Sequence, residues 1–199
     1  MKRTRKTVLV LAITVASGVL WLARTSRAAV EIPAYKVVRT DGKVEIRDYP
    51  SLMVAMTSMQ GDEMDQGFGR LFQFITGSND KSEKIAMTAP VLIDTAKSGK
   101  TMSFIMPKDT VEKGVPKPTK DGVMLHKVEA ARFAVLRFAG GRSDENEKTA
   151  VTELNKWLSA QKLSAKDAPT FAYYDPPWTP NALRRNEVMI RIDKPISSQ

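Results

Sequence analysis

The residue types that most often carry chemistry are scarce in this chain. Its 199 residues include no cysteine and one histidine, His126. The lack of cysteine excludes a disulfide framework, a thiolate zinc site, an iron–sulfur cluster and a cysteine nucleophile. A single histidine excludes a multi-histidine metal centre, and no serine lies in a motif that pairs it with this histidine. We therefore expect no structural metal.

His126 could still ligate a metal by itself, because imidazole is a common metal donor. It alternates with Leu125 and Lys127 along a predicted strand. That alternation favours an ordinary strand residue, so His126 is a weak candidate ligand.

Two segments hold more proline, aromatic and charged residues than regular patterning requires. The first joins Gly77–Lys81 to Ile85–Val91, and the second runs from Tyr173–Pro180 into Arg184–Val188. Within the second, Trp178 lies in a proline-rich loop, where core packing does not readily explain a large apolar side chain. These segments are the best candidates for ligand recognition.

The chain resembles the SOUL haem-binding protein family in the order and content of these segments. Five motifs carry the resemblance: Arg47-Asp48-Tyr49-Pro50, Asn79-Asp80-Lys81, Met87-Thr88-x-Pro90-Val91, Tyr174-Asp175-Pro176-Pro177 and Arg184-Arg185-Asn186-Glu187. They follow the family order between Val30 and Ile192, which makes the match specific. The resemblance implies a distorted barrel with two helices, and binding of haem or a related tetrapyrrole in an apolar groove beside the first helix.

A haem needs apolar walls and a few cations for its two carboxylates. The candidate cofactor-binding residues are Phe68, Arg70, Phe72, Lys81, Met87, Tyr174, Trp178, Arg184 and Arg185, and Lys84 is a further cation. The resemblance favours Arg70 and Lys81, which match basic positions of the family. The alternatives are core packing for Phe72 and Met87, and solvated surface charge for each cation.

The histidine proposed as iron ligand in some family members follows the Arg-x-Tyr motif. The corresponding positions here read Tyr49-Pro50-Ser51-Leu52, without histidine. Non-covalent haem binding without a strong protein ligand is therefore expected.

Glu187 offers a different chemistry. Similar folds occur in ligand-binding domains of multidrug-responsive regulators, and some relatives place a glutamate in a central cavity. A buried Glu187 could bind a cation or act as a general base, assisted by Tyr173 or Tyr174. The alternative is a strand-end carboxylate paired with Arg184 or Arg185.

The elements that must position these residues repeat along the chain. At an offset of 79 residues, Val44 and Ile46 correspond to Val123 and Leu125; beyond the helices the offset becomes 86. Each copy, at about 35–107 and 123–193, predicts two strands, a helix and two further strands. The first helix carries a stripe of Phe68, Leu71, Phe72 and Ile75, and the second has Ser143 as its predicted N-cap. We expect an α+β fold in which pseudo-twofold repeats form a distorted antiparallel β-barrel flanked by two helices, within one domain over residues 30–196.

The N-terminus predicts export. Residues 1–28 hold six basic residues and no acidic one, which leaves only +3 of the net charge of +9 for the rest of the chain. An uncharged, mostly apolar run over 7–23 and small residues before Ala29 are typical of a signal peptide, although the run could remain as a membrane anchor. Both interpretations place the domain outside the cytoplasm, in or facing a periplasm. The small remaining charge argues against nucleic-acid binding.

The sequence therefore predicts a non-catalytic carrier, buffer or scavenger of haem. A small-molecule hydrolase or multidrug-type domain using Glu187 and an envelope protein that binds a partner are the alternatives. The oligomeric state stays open.

Overall fold

The computed structural model describes residues 30–59, 64–96 and 99–193. The predicted signal peptide or anchor lies outside these residues, as do the last residues of the predicted domain. No helix in the described part of the chain is both long and apolar enough to cross a bilayer.

The fold combines nine strands with three α-helices among the described residues. The strands are β1 Lys36–Asp41, β2 Val44–Tyr49, β3 Leu52–Met59, β4 Val91–Asp94, β5 Lys100–Ile105, β6 Met124–Val128, β7 Ala131–Phe138, β8 Thr170–Tyr173 and β9 Asn186–Ile192. The helices are α1 Met64–Ile75, α2 Lys108–Lys113 and α3 Asp144–Ala160, with a 3₁₀ turn at Asn181–Leu183. The short helix α2 was not predicted, because its segment carries three prolines nearby and no apolar stripe.

Local signals in the sequence explain several element boundaries. Gly42 has a φ of +59° in the tight turn between β1 and β2, as its Asp-Gly context predicts. Ser143 caps α3, since its side chain accepts a hydrogen bond from the Asn146 N–H at 3.3 Å. Gly77 follows α1 with a φ of +125°, a conformation that glycine adopts without strain.

The strands form one antiparallel sheet in the order β1-β2-β7-β9-β8-β4-β5-β3-β6. Three of these pairings join the two halves of the chain: β2 pairs with β7, β3 with β6, and β4 with β8. Strands β1 and β6 stand at the two ends of this order, and among the described residues no pairing joins them. The mixed helix and strand architecture is as predicted, but a closed barrel is not confirmed.

The main core lies between one face of the sheet and the two long helices. Helix α1 packs on β3 and β5, and α3 packs on β7 and β9. Gly67 explains how closely α1 approaches the sheet, because an added Cβ would lie 3.4 Å from Met59. The largest side chains buried on this side include Phe74, Phe104, Leu71, Met102, Leu136 and Leu154.

The opposite face of the sheet is concave. Strands β2 and β3 are joined only by residues 50–51, and β6 and β7 only by residues 129–130. A connection of two residues keeps the joined strand ends within about 11 Å of each other. The outer parts of the sheet therefore meet at these connections, and the sheet curves around the space between them.

Candidate functional site

A cavity of about 840 Å³ occupies the concave face. Strands β2 to β9 all contribute to its wall, mostly with apolar side chains such as Leu52, Val54, Met56, Leu92, Ile105 and Phe133. These residues alternate along their strands with those that pack against the helices. The cavity and the helices therefore lie on opposite faces of the same sheet.

Aromatic rings form part of the cavity wall. The rings of Tyr35 and Tyr49 lie 5.0 Å apart, and Tyr49 meets the edge of Phe133 at 5.7 Å. Tyr174, which follows β8, adds a fourth ring to the lining. Flat rings of this kind suit an apolar ligand that is itself flat.

The hydroxyl groups of two of these tyrosines bond to a buried carboxylate cluster. Tyr174 donates to Glu187 Oε2 at 2.9 Å, and Tyr49 accepts from Arg47 Nη1 at 3.2 Å. Arg47 in turn donates to both Glu187 oxygens, at 2.7 and 3.1 Å, while Arg185 donates to Oε1 at 2.7 and 3.0 Å. Glu187 itself has no solvent exposure.

These contacts keep Glu187 ionised. Burial alone would raise the pKa of its carboxyl group, but the hydrogen bonds and charges of Arg47 and Arg185 outweigh burial, and the pKa lies below its ordinary value. A general base near neutral pH needs a raised pKa and a free lone pair facing substrate. Glu187 has neither, so the geometry does not support the predicted base or cation ligand. It supports the alternative of a paired carboxylate, with the predicted Arg185 as one partner and Arg47, which was not predicted, as the other. Arg184, the second predicted partner, donates to backbone carbonyl groups instead.

The buried tyrosines remain protonated. Burial raises the pKa of Tyr49 to about 12, although Arg47 acts in the opposite direction. Burial and the charge of Glu187 also raise the pKa of Tyr174. Neither hydroxyl is available as a phenolate donor to the cavity.

His126 lines the cavity on the edge strand β6. Its partner across the ladder is Val54 of β3, another lining residue. Within the described part of the chain, no three histidine, aspartate or glutamate side chains form a metal-binding group.

The rim of the cavity carries both positively and negatively charged residues. Lys166 pairs with Asp193 at 2.9 Å, and Arg191 lies 3.6 Å from Asp167. Lys166, Asp167 and Arg191 line the cavity together with Glu129. The two cations are about half exposed, so each could turn toward a ligand carboxylate at small cost.

The predicted ligand residues do not come together in one place. Phe68 and Phe72 stack on each other at 5.9 Å on α1, and Phe68 meets Phe104 on the helix side of the sheet. Both are substantially exposed. Met87 packs against the main core, which is the alternative that the sequence left open for it.

The predicted cations mostly hold backbone in place. Arg70 donates to Thr57 Oγ1 at 2.8 Å and to the Ser58 carbonyl at 2.7 Å, which ties α1 to β3. Lys81 donates to the Gly114 carbonyl at 3.0 Å from an exposed position. The guanidinium group of Arg184 donates hydrogen bonds to the carbonyl groups of Thr179 and Pro177.

The proline-rich loop presents Trp178 to solvent, with 83% of its surface exposed. Of the nine predicted ligand residues, only Tyr174 lines the cavity, and Arg185 stacks on its ring at 3.9 Å from the ring centre. Three residues that contribute to this region, Tyr35, Arg47 and Tyr49, were not predicted as site residues. The Arg47–Pro50 motif was the available signal, since Arg47 and Tyr49 share one face of a strand.

Comparison with known proteins agrees with the motifs. A family model described as SOUL heme-binding protein matches residues 30–191. The chain belongs to the SOUL heme-binding protein family. The predicted resemblance is thereby confirmed over most of the chain.

Individual relatives are more distant. Heme-binding protein 1 of Xenopus laevis is 26% identical over 162 residues, covering 72% of this chain and 80% of the relative. Among solved structures, the C-terminal domain of EcmrR is similar with a TM-score of 0.57 at 11% identity, covering 80% of this chain and 98% of that one. A hydrolase from Listeria innocua has a TM-score of 0.54 at 12% identity, covering 78% and 94%. At these identities the two structures show a shared fold alone.

Proposed function

We propose that this SOUL family member is a non-catalytic protein that binds haem or a related tetrapyrrole without a covalent bond. The observation that carries the proposal is the cavity of about 840 Å³ with an apolar wall and aromatic rings. Pockets for small ligands and cofactors usually measure about 300–1,000 Å³. The family and the relatives named for haem binding support the choice of ligand.

The lining suits the chemistry of a haem. Its apolar disc requires walls such as those of Val54, Ile105 and Phe133, and its two carboxylates require cations at the rim, where Lys166 and Arg191 stand. The paired state of Glu187 supports a binding role over hydrolysis by this residue, because its carboxylate is not free to act as a base.

We also propose that the protein acts outside the cytoplasm as a carrier, buffer or scavenger, either periplasmic or anchored through residues 7–23. The basic start and the apolar run of residues 1–28 support this location. Fractionation of an expressing bacterium should find the chain outside the cytoplasm. A measured mass that corresponds to a chain starting at Ala29 would indicate cleavage, whereas an intact chain in the cytosol would contradict the proposal.

Two internal repeats are the finer architecture that we propose. Each of the strands β2, β3, β4 and β5 of the first half corresponds to one of β6, β7, β8 and β9 of the second. When every strand is replaced by its counterpart, the sheet order from β2 to β6 becomes the same order read from the opposite end. This supports a pseudo-twofold axis between β4 and β8. An experimental structure whose two halves do not superpose by such a rotation would overturn it.

The test of function is a hemin titration of the full-length chain, without a histidine tag, followed by visible absorption in mild detergent. A saturable one-to-one shift of the Soret band is expected. An unrelated protein of similar basic charge serves as the control for adsorption. A shift no larger than that of the control would overturn the haem proposal.

A further inference from the structure

Several lining side chains could donate to iron. The carboxylates of Asp94, Glu129 and Asp167 line the cavity but already accept hydrogen bonds or ion pairs, and Tyr35 adds a third tyrosine hydroxyl. The hydroxyl groups of Tyr49 and Tyr174 are engaged by Arg47 and Glu187, and both stay protonated. Met56 and Met189 bring thioethers to the wall, and His126 brings the one imidazole of the chain. Imidazole is the strongest of these donors toward haem iron, since it is the usual proximal ligand.

The position of His126 suits a ligand better than a packing residue. Its side chain is exposed, and within the described residues it has no side-chain hydrogen bond or ion pair. Its backbone is nevertheless fixed, because β6 is paired with β3 from Leu52 to Met56. A fixed backbone, an uncommitted imidazole and an apolar cavity in front of it are the three features of a preformed axial site.

The ladder neighbours of His126 on the cavity side are apolar. Val54 stands directly opposite in the ladder, and Met56 and Val128 share the same face of the sheet. Such neighbours limit the access of water to the imidazole when the cavity is filled. Lys127, the next residue, points to the other face by strand alternation and pairs with Glu129 at 3.2 Å.

We infer, on the basis of the proposed function, that the concave cavity is the tetrapyrrole site of this chain and that His126 is an axial ligand of its iron. The site then lies on the opposite face of the sheet from Phe68 and Phe72, the exposed aromatic residues of α1. His126 also belongs to the second half of the chain, in contrast to the histidine that follows the Arg-x-Tyr motif in some relatives. No second imidazole can take its place, because His126 is the one histidine of the sequence.

Iron ligation and cavity binding can be tested separately. Hemin and iron-free protoporphyrin IX are each titrated into the full-length, untagged chain and into its His126→Ala and Lys127→Ala variants. The readouts are the Soret position, the electron paramagnetic resonance spectrum of the ferric complex, and quenching of tryptophan fluorescence by protoporphyrin. Imidazole is then added to the His126→Ala complex.

We expect His126→Ala to lose the imidazole-type spectrum and to bind hemin about tenfold or more weakly, equivalent to about 1.4 kcal/mol. Protoporphyrin affinity should stay within about twofold of the wild type, because the apolar wall is unchanged. Added imidazole should restore the spectrum, and Lys127→Ala should resemble the wild type throughout.

The other outcomes are equally informative. Hemin spectra that are the same in the wild type and His126→Ala would overturn the ligand assignment and leave haem binding intact. Protoporphyrin contacts that map by NMR to α1 and not to the cavity would overturn the location. Failure of both tetrapyrroles to bind the wild type would overturn the proposed function and the inference with it.

Discussion

Glu187 is the residue whose surroundings are most fully determined. Two arginines and one tyrosine donate five hydrogen bonds to a carboxylate that water does not reach. Breaking a buried pair by removing one partner leaves an uncompensated charge, which costs far more than losing an exposed pair. The cluster therefore fixes β2, β9 and the residue after β8 to one another behind the cavity wall.

Glu187→Gln should lower the free energy of unfolding by about 3–5 kcal/mol, because Arg47 and Arg185 would stay buried without their counter-charge. Urea unfolding followed by tryptophan fluorescence measures the change. Glu45→Gln is the matched control, since Glu45 also accepts from Arg47, at 2.7 Å, but is partly exposed. Equal losses in the two variants would contradict a special role for burial.

The same carboxylate predicts how stability depends on pH. Its native pKa lies below the ordinary value, so the unfolded chain binds a proton at a higher pH than the native chain does. The contribution of Glu187 is complete above the unfolded pKa of about 4.3 and is lost as the pH falls through the native pKa. The stability difference between wild type and Glu187→Gln should therefore shrink on acidification below about pH 4. A constant difference from pH 7 to pH 3 would contradict this.

The sequence could predict only part of this cluster. Pairing of Glu187 with Arg185 follows from their spacing of two residues, with Arg185 directly before β9 and Glu187 at its start. Arg47 lies 140 residues away, and its contact depends on β7 separating β2 from β9 in the sheet. No local pattern encodes that order of strands. From the sequence alone, a paired Glu187 was therefore only one of two possibilities, beside a free general base or cation ligand.

The turn after α1 is the element whose motif the structure explains most directly. Asn79 is buried, donates to the carbonyl groups of Phe74 and Glu83, and accepts from the N–H groups of Lys81 and Glu83. The Asn79 side chain thus supplies hydrogen-bond partners to four backbone groups of the turn. The Asn-Asp-Lys motif is accounted for by this turn geometry.

Asn79→Ala should lower the free energy of unfolding by about 3 kcal/mol, since several buried backbone groups would lose their partners at about 1–3 kcal/mol each and some would regain water. The measurement is urea unfolding. Asn155→Ala, on the exposed side of α3, is the control and should change stability by less than about 0.5 kcal/mol. A small loss for Asn79→Ala would show that the turn forms without its side chain.

Substitution of Trp178 tests whether hemin binds at the proline-rich loop, as the sequence predicted, or in the cavity. Because its indole is 83% exposed, Trp178→Ala should leave the stability within about 0.5 kcal/mol of the wild type. Hemin affinity should also be unchanged if the cavity is the site. Trp157→Ala is the matched control, since Trp157 packs on the core and donates to Asp41 at 3.0 Å, and it should destabilise the chain. Weaker hemin binding in Trp178→Ala would favour the loop.

Helix α1 shows where the predicted apolar stripe and the buried face of the helix differ. The predicted stripe contains Leu71 and Ile75, which are buried, but also Phe68 and Phe72, which are exposed. The buried face instead includes Gly67 and Phe74. Both faces are apolar in sequence, and the choice between them depends on the close approach of Gly67 to Met59, a tertiary contact.

For the molecule as a whole, strand alternation predicts two faces for every strand but not which face encloses a cavity. Val54 and Met56 could equally have packed against a helix. The curvature that separates the two faces results from the short connections at 50–51 and 129–130. The haem-binding family was therefore recognised from motifs, while the cavity proposed as the ligand site could be found only in the folded sheet.

Filling the cavity should abolish binding while keeping the fold. Thr101 of β5 is a lining residue, and Thr101→Trp would place an indole ring in the ligand space. We expect hemin affinity to fall about tenfold or more, while the circular dichroism spectrum stays the same. Phe72→Ser, on the helix side, should bind hemin like the wild type. The reverse result, with loss only in Phe72→Ser, would place the ligand beside α1.

The exchange of β2 and β6 between the two halves of the sheet has a consequence for how the chain acquires its structure. Strand β2 finds its inner neighbour only when β7 has been made, and β3 lacks its outer neighbour until β6 arrives. Neither half of the sheet can be completed by one half of the chain. Folding must therefore wait for contacts between distant segments, which slows it relative to a protein built from local pairings. Slow folding of this kind would suit the export that we propose, because an unfolded chain can still be threaded through a membrane.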